Sequence, residues 1–216
     1  MIPHDATLQA GVLHGVWVVF LAVALGVYVL VAGLILWSVI AYRRRDPATV
    51  QAAAFHKNVP LELTWTVLPL VAVVGLFAVT FPAEQRVESV VTPPAVTVQV
   101  TGFRWSWRFL YPREHVVVEG TSDKPPELVL PAGRVSEIRL ASSDVIHAFW
   151  VPAFLFKRDA VPGAVNVFDL TPQREGVYPA RCAEYCGTFH AHMSFVVRVV
   201  SPEAFTRWVR ERGGQA

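Results

Sequence analysis

Arg181-Cys-Ala-Glu-Tyr-Cys-Gly-Thr-Phe-His-Ala-His-Met193 is the stretch from which the rest of this 216-residue chain can be read. It holds the only two cysteines, Cys182 and Cys186. His190 follows four residues later, then Met193, the only methionine besides Met1. Upstream, His147 lies within Asp144-Val-Ile-His-Ala-Phe-Trp150. Two thiols, two imidazoles and a thioether are soft donors. Such sets favour copper, zinc or iron–sulfur, and a weak methionine beside them points to electron-transfer copper. The spacing turns one loop toward one point four times, while His147 must come from a second loop at the same end of the fold. A mononuclear blue copper uses one thiolate, two imidazoles and a weak methionine. The second cysteine therefore separates that site from two coppers bridged by two sulfurs, each with one imidazole. A Cys182–Cys186 disulfide and a Cys₂His₂ zinc site are the competing readings. The zinc reading has unusual spacings and leaves Met193 without a part. His192 points away from the ligands if its segment is extended, and His4, His14, His56 and His115 read as ordinary.

The surroundings of that loop read as strands. Val96–Val100, Val116–Val118, Glu127–Leu130, Val135–Leu140, Val165–Leu170 and Phe195–Val200 are short β-branched or alternating runs. They are punctuated by Pro125-Pro126 and by Pro131-Ala132-Gly133. In Arg104-Trp-Ser-Trp-Arg-Phe109 a period of two puts Trp105, Trp107 and Phe109 on one face of a strand. Many short strands imply a Greek-key sandwich or barrel in one domain. Ser201-Pro-Glu203, with Phe205, Trp208 and Val209, predicts a short amphipathic helix at the C-terminal end.

The first third differs in kind. The whole chain is 53% hydrophobic and 17% charged, against about 25% charged in an average soluble domain. The excess is concentrated before Pro82. Residues 1–11 form a polar lead without the Lys or Arg of a secretory signal, and a leader already removed is equally compatible. Val12–Ala41 is thirty residues without a charge, with Trp17 and Trp37 near its ends, and a membrane span needs about twenty. Leu63–Phe81 is a second, nineteen-residue run containing Pro69. Between the runs, Arg43, Arg44, Arg45 and Lys57 face only Asp46. Such a basic loop, 42–58, stays on the cytoplasmic side. Both termini and everything from residue 84 onward are then expected outside. Glu62 sits at the mouth of the second span. By itself it reads as an interfacial acid, or as an entrance for protons.

Asn58-Val-Pro-Leu-Glu-Leu-Thr-Trp-Thr-Val-Leu-Pro69, Gly102-Phe-Arg-Trp-Ser-Trp107, Asp144–Pro152, Lys157-Arg-Asp-Ala-Val-Pro-Gly163 and Cys182–Met193 together resemble subunit II of the haem–copper cytochrome c oxidases. These stretches occur in that family's order and span nearly the whole chain. The resemblance implies a two-helix transmembrane hairpin, residues 1–83, followed by an all-β cupredoxin Greek-key sandwich, residues 84–216, with a short C-terminal helix. It implies a dinuclear copper A centre. Cys182 and Cys186 would bridge the ions, His147 and Met193 would complete one, and His190 and the backbone carbonyl of Glu184 the other. The Glu184 side chain would bind a magnesium ion at the interface with subunit I. Trp105 matches the tryptophan where electrons from cytochrome c enter, and Glu62 the glutamate at the mouth of a proton path. No separate role is assigned to Lys157 or Asp159.

The implied partners are the haem-bearing subunit I, subunit III, cytochrome c and the lipid bilayer of a bacterial cell membrane, with no nucleic acid. The implied activity is that of a proton-pumping oxidoreductase that reduces oxygen to water in subunit I. This chain would carry the electron-transfer site alone, and it has no Cys-x-x-Cys-His haem-attachment motif. The set of five donor residues argues against the copper-free scaffold subunit of quinol oxidases. A lone internal methionine argues against a copper-delivery protein, and the absence of a large catalytic domain against a nitrous oxide reductase. A nitric oxide-reducing complex with the same copper site is the nearest rival. One departure from the family stands out. Residues 84–216 carry 15 basic and 14 acidic side chains, so net charge steers a basic cytochrome c only weakly.

Overall fold

The computed structural model describes residues 6–43 and 57–213. The expected cytoplasmic loop 42–58 lies mostly outside the described residues. Helix α1 runs over Leu8–Ala41 and α2 over Val59–Glu88. Both are long and apolar enough to cross a membrane. Each starts before its charge-free run because polar residues cap it, and α2 also continues past Phe81 to Glu88. Thr7 Oγ1 accepts the Ala10 N–H at 3.0 Å. Asn58 Oδ1 accepts the Leu61 N–H at 3.2 Å, and Glu62 reaches back to the Asn58 N–H at 3.2 Å. These are reciprocal caps on amide groups a helix cannot satisfy internally. The polar lead is thus partly helical.

The chain divides into two compact units, Gly15–Ala83 and a second made of Met1–His14 with Glu84–Ala216. Among the described residues the second unit is a sandwich of ten strands: β1 Val96–Phe103, β2 Ser106–Tyr111, β3 Val116–Glu119, β4 Glu127–Pro131, β5 Ser136–Ser142, β6 His147–Val151, β7 Phe156–Ala160, β8 Asn166–Leu170, β9 Gly176–Cys182 and β10 Ser194–Val200. One sheet has the order β3-β2-β1-β5-β8 and the other β4-β10-β9-β6-β7. Among the described strands, only β1 with β5 and β4 with β10 run parallel. Inward side chains alternate along the strands, as on half-buried sheets. Trp107, Phe109, Phe149, Phe168 and Phe195 meet between the sheets, with Phe149 and Phe195 at 4.8 Å.

One expectation fails here. Trp105 does not share a strand face with Trp107 and Phe109. It lies in the turn between β1 and β2, half-buried, while the other two are fully enclosed. The chain must reverse at Arg104-Trp105 for Phe103 to pair with Ser106, so the period of two begins only after the turn. Strands β6, β7 and β9 also went unforeseen. Lys157-Arg158-Asp159 interrupts the apolar alternation of β7 and Pro179 that of β9, while β6 is a five-residue run that opens on His147.

Two features seal the sandwich. Helix α3, Pro202–Gly213, starts where Ser201 Oγ accepts the Ala204 N–H at 3.2 Å, and it lays Phe205 and Trp208 against Tyr111. At the opposite edge of the first sheet, the start of α1 covers β8. Leu8 N–H donates to the Thr171 carbonyl, Gln9 Nε2 to that of Asp169, and Thr171 N–H to Gln9 Oε1, at 3.1, 3.1 and 3.2 Å. An edge strand otherwise leaves such groups open to another chain.

Candidate metal centre

The site lies at the end of the second sheet, where β9 and β10 separate and β6 begins. His147 opens β6 and is fully buried. Cys182 closes β9, opposite Phe149 in the β6–β9 register. From there residues 183–193 loop out and return. The neck is closed by the Cys182 N–H donating to the Met193 carbonyl at 2.8 Å, just before β10 pairs with β9.

Within this loop the donors converge. The sulfurs of Cys182 and Cys186 are 3.9 Å apart. Both cysteines are free, so the disulfide reading does not hold, a bonded pair being about 2.05 Å apart. His147 Nδ1 lies 3.8 Å from Cys182 Sγ, and His190 Nδ1 lies 3.5 Å from Cys186 Sγ. Met193 Sδ is 3.7 Å from Cys186 Sγ. The Glu184 carbonyl faces inward, 3.2 Å from Cys182 Sγ. The ligand atoms of His147, Cys182 and Cys186 all lie within 4.8 Å of one another. His190 joins from the Cys186 side instead of completing a single four-atom cage. His190–His192 forms a 3-10 turn, not the extended segment assumed for it, and His192 is exposed.

Neighbouring groups fix these side chains. Asp144 Oδ1 accepts from His147 Nε2 at 2.8 Å, which leaves Nδ1 to face the sulfur. A carboxylate on the outer nitrogen is the usual device for orienting a metal-binding imidazole. Asp144 is itself held by the amide groups of Val145 and Arg104, at 2.6 and 2.7 Å. Burial works to raise its carboxyl, but His147 and those two N–H groups outweigh it and hold the pKa at about 2. Desolvation likewise opposes charge on Cys182, yet hydrogen bonding to His147 and to backbone groups brings its thiol down to about 7. Burial, then the neighbouring Cys182 charge, pushes Cys186 up to about 12. The metal-free site therefore favours one thiolate, and a cation that takes both sulfurs must release a proton.

Two glycines permit the packing. A Cβ on Gly102 would stand 3.1 Å from the His147 ring. Gly187 has φ +117, and its Cβ would stand 3.3 Å from the Trp105 indole. That indole lies against the ligand loop, where Trp105 Nε1–H donates to the Cys186 carbonyl at 3.1 Å and the ring meets Phe189 edge-on at 5.0 Å.

The remaining predicted site residues lie elsewhere. The Glu184 carboxylate turns outward and pairs with Lys157 at 3.6 Å, and Lys157 also reaches Asp159 at 3.7 Å. Glu62 belongs to the helical unit, in the first turn of α2. Sequence reasoning left Asp144 without a job. Its signal was the Asp-x-x-His spacing, which allows a carboxylate to reach the imidazole from just before the strand.

Comparison with known proteins agrees with this architecture. The family described as the transmembrane domain of cytochrome c oxidase subunit II matches residues 3–83, and that of the periplasmic domain of the same subunit matches residues 119–200. A probable cytochrome c oxidase subunit 2 from Nocardia farcinica is 36% identical, over 97% of this chain and 73% of its own length. Cytochrome c oxidase subunit 2 of Mycobacterium tuberculosis is 32% identical, over 97% and 74%. Among solved structures, the periplasmic domain of subunit II of cytochrome oxidase from Bradyrhizobium japonicum superposes with a TM-score of 0.53 at 32% identity. It covers 58% of this chain and 99% of that one. A second structure, TM-score 0.52 at 31% identity, captures subunit II of cytochrome c oxidase in a mixed disulfide with a thioredoxin-like protein, over 59% of this chain and 98% of that one. With both halves matched and relatives aligned along nearly its full length, this membrane-anchored chain belongs to the cytochrome c oxidase subunit II family.

Proposed function

We propose that this chain is the electron-accepting subunit of a cytochrome c oxidase and holds a dinuclear copper A centre in the 182–193 loop. One observation carries the reading: two sulfurs 3.9 Å apart, with an imidazole nitrogen beside each at 3.8 and 3.5 Å. Zinc in a structural site wants four donors around one point, whereas this set has two ends. Cys182 and Cys186 would both hold the pair through their sulfurs, His147 and Met193 would be the further donors to one ion, and His190 and the Glu184 carbonyl those to the other. When bound, such a copper pair takes up and gives back single electrons, with charge shared over both metals and both sulfurs.

The chain's own part is to keep the donors still and dry. His147 is immobilised by Asp144, Trp107 and the close face of Gly102. Cys182, Cys186 and Met193 are buried. Trp105, bonded to the Cys186 carbonyl, is the entrance for electrons from cytochrome c. The electron leaves toward haem in subunit I, where oxygen is reduced to water with proton pumping. Subunit III completes the complex. The Glu184 carboxylate faces subunit I and helps hold a magnesium ion there once Lys157 yields it. Glu62, at the start of α2, opens a proton path. Both helices span the bacterial cell membrane, the 42–58 loop is cytoplasmic, and the sandwich and both termini face the periplasmic side.

The test is copper content and low-temperature electron paramagnetic resonance on the full chain loaded with copper. Two coppers per chain, sharing one unpaired electron over both nuclei, is the expected result. One copper with a mononuclear signal, or zinc with none, overturns the reading.

A further inference from the structure

Away from the ligand loop, a cavity of about 330 Å³ opens where the first turns of α1, the end of α2 and the β5–β8 side of the first sheet meet. Residues 1–14 and 84–216 form one compact unit, so its walls belong to a single body. Leu8, Val12, Val91 and Val135 make the walls apolar, while Arg86 and Asp169 supply charge. Such a volume, with apolar walls and a few placed polar groups, is that of a small-ligand site, ~300–1,000 Å³. Asp169 is only 2% exposed. Its Oδ2 accepts the Val91 N–H at 2.7 Å, but its buried Oδ1 has no hydrogen-bond partner. Glu137, opposite it across β5 and β8, is answered by Arg139 at 2.8 Å. Among the described residues no basic side chain answers Asp169 in the same way. A buried acceptor left unpaired is costly, so this oxygen calls for a donor from outside the chain. Arg86 has the converse need. It is exposed in the last turn of α2, it has no acidic partner among the described residues, and nearby Glu88 is taken by Arg158.

We propose that this cavity binds the headgroup of an ethanolamine phospholipid, its phosphate on Arg86 and its ammonium on Asp169. The charges decide the class. One cation and one buried anion on the same walls match a zwitterion, whereas an anionic headgroup would answer Arg86 and leave Asp169 unpaired. The unpaired oxygen decides the amine. It needs an N–H donor, which a primary ammonium has and a choline headgroup lacks. The apolar walls decide the source. Leu8 and Val12 open a helix apolar enough to cross a membrane, and they offer a surface to the glycerol and the first acyl carbons. The pocket is held ready for its occupant, because Gln9 spends both side-chain groups on β8 and Val91 is tied to Asp169. The inference goes beyond the electron-transfer reading and does not depend on the copper site.

The experiment is native mass spectrometry of the full chain, purified in detergent, stripped of lipid and titrated with defined probes. The probes are dioleoyl phosphatidylethanolamine, phosphatidylcholine and phosphatidylglycerol, and phosphoethanolamine without acyl chains. The ethanolamine lipid is expected to bind about tenfold or more tightly than the other two lipids, the scale of one charged hydrogen bond. Arg86→Gln is expected to weaken it by about tenfold and to weaken the choline lipid as well, since both carry the phosphate. Asp169→Asn keeps an acceptor for Val91 and removes the partner of the ammonium. It is expected to weaken the ethanolamine lipid by about tenfold and to leave the choline lipid unchanged, a split that a merely structural role would not produce. If Asp169→Asn impairs folding, Arg86→Gln, at an exposed helix end, decides with the lipid comparison. Equal affinity for the ethanolamine and choline lipids, or an unchanged ethanolamine lipid affinity in Arg86→Gln, overturns the site. Phosphoethanolamine binding as tightly as the whole lipid overturns the membrane as its source. Copper content is read separately, so its failure overturns the copper reading and leaves this inference standing.

Discussion

At the scale of single residues, the site is decided by groups that would not touch the metal. Asp144 holds the His147 imidazole by its outer nitrogen, and it can do so because its own charge is stabilised by two backbone N–H groups. Asp144→Asn keeps the shape but weakens that hold. We expect copper affinity to fall by about 10–100-fold, the usual cost of removing an orienting partner, with two coppers still bound at saturation. A competition titration against a copper chelator measures it. Met193 is different. Its sulfur approaches Cys186 at 3.7 Å from the mouth of β10, and a thioether in such a place tunes a potential more than it holds an ion. Met193→Leu is expected to retain copper and shift the midpoint potential, and an unshifted redox titration would remove Met193 from the ligand set. The donor residues were readable in the sequence because copper chemistry demands rare residue types, and only two cysteines and one internal methionine were on offer. The orienting residues were not, because an aspartate or a glycine is common and only packing reveals what it faces.

At the scale of elements, the strands the sequence revealed were those with β-branched runs, such as β1, β5 and β10. The three it hid, β6, β7 and β9, lie side by side in the second sheet. Two of them bear ligands, and their composition is bent toward the site and its surroundings instead of toward a regular apolar face. Trp105 was misplaced for a related reason. A tryptophan two residues before another mimics a strand period, and only the β1–β2 register shows that the chain reverses there. What steadies β6 is Phe149, which meets Trp107, Phe168 and Phe195. Phe149→Ala is expected to destabilise the sandwich by about 3–5 kcal/mol, as for other buried Phe→Ala changes, and to loosen His147 two residues away. Chemical denaturation monitored by tryptophan fluorescence, together with copper retention, checks both effects.

At the scale of the whole chain, the first helix starts on the sandwich. Its first turn covers β8, and next to that contact sits Asp169, only 2% exposed. Asp169 accepts the Val91 N–H at 2.7 Å. Burial raises its pKa above the ordinary 3.8, the Val91 N–H opposes this, and nearby Glu137 adds to the rise. A carboxyl whose native pKa is raised favours folding in its protonated form. That contribution is complete below the unfolded pKa and is lost as pH climbs through the raised native value. Asp169→Asn keeps an acceptor for Val91 and has no proton to lose. Its melting temperature relative to wild type should therefore rise between pH 3 and pH 7, and a constant difference across that range would remove Asp169 from this role. The membrane segments were plain in the sequence, since hydropathy needs no partner to be read. The attachment of residues 6–10 to β8 was not, since it rests on the Leu8 amide and on the side chain of Gln9, and a single glutamine carries no sign of the strand it will meet.

The hydrogen bond from Cys182 to the Met193 carbonyl has a consequence for how this family's sites can change. It closes the eleven residues 183–193 into a cassette whose ends are set by the β9–β10 ladder and whose contents are not. Lengthening or shortening the stretch between them leaves Cys182 and the backbone at Met193 where they are and re-spaces only Cys186 and His190. A grafted loop that kept both ends would inherit a framework already built. Within it, the number of metal ions would become a property of loop length, and the sandwich could serve one site or two without a change in any strand.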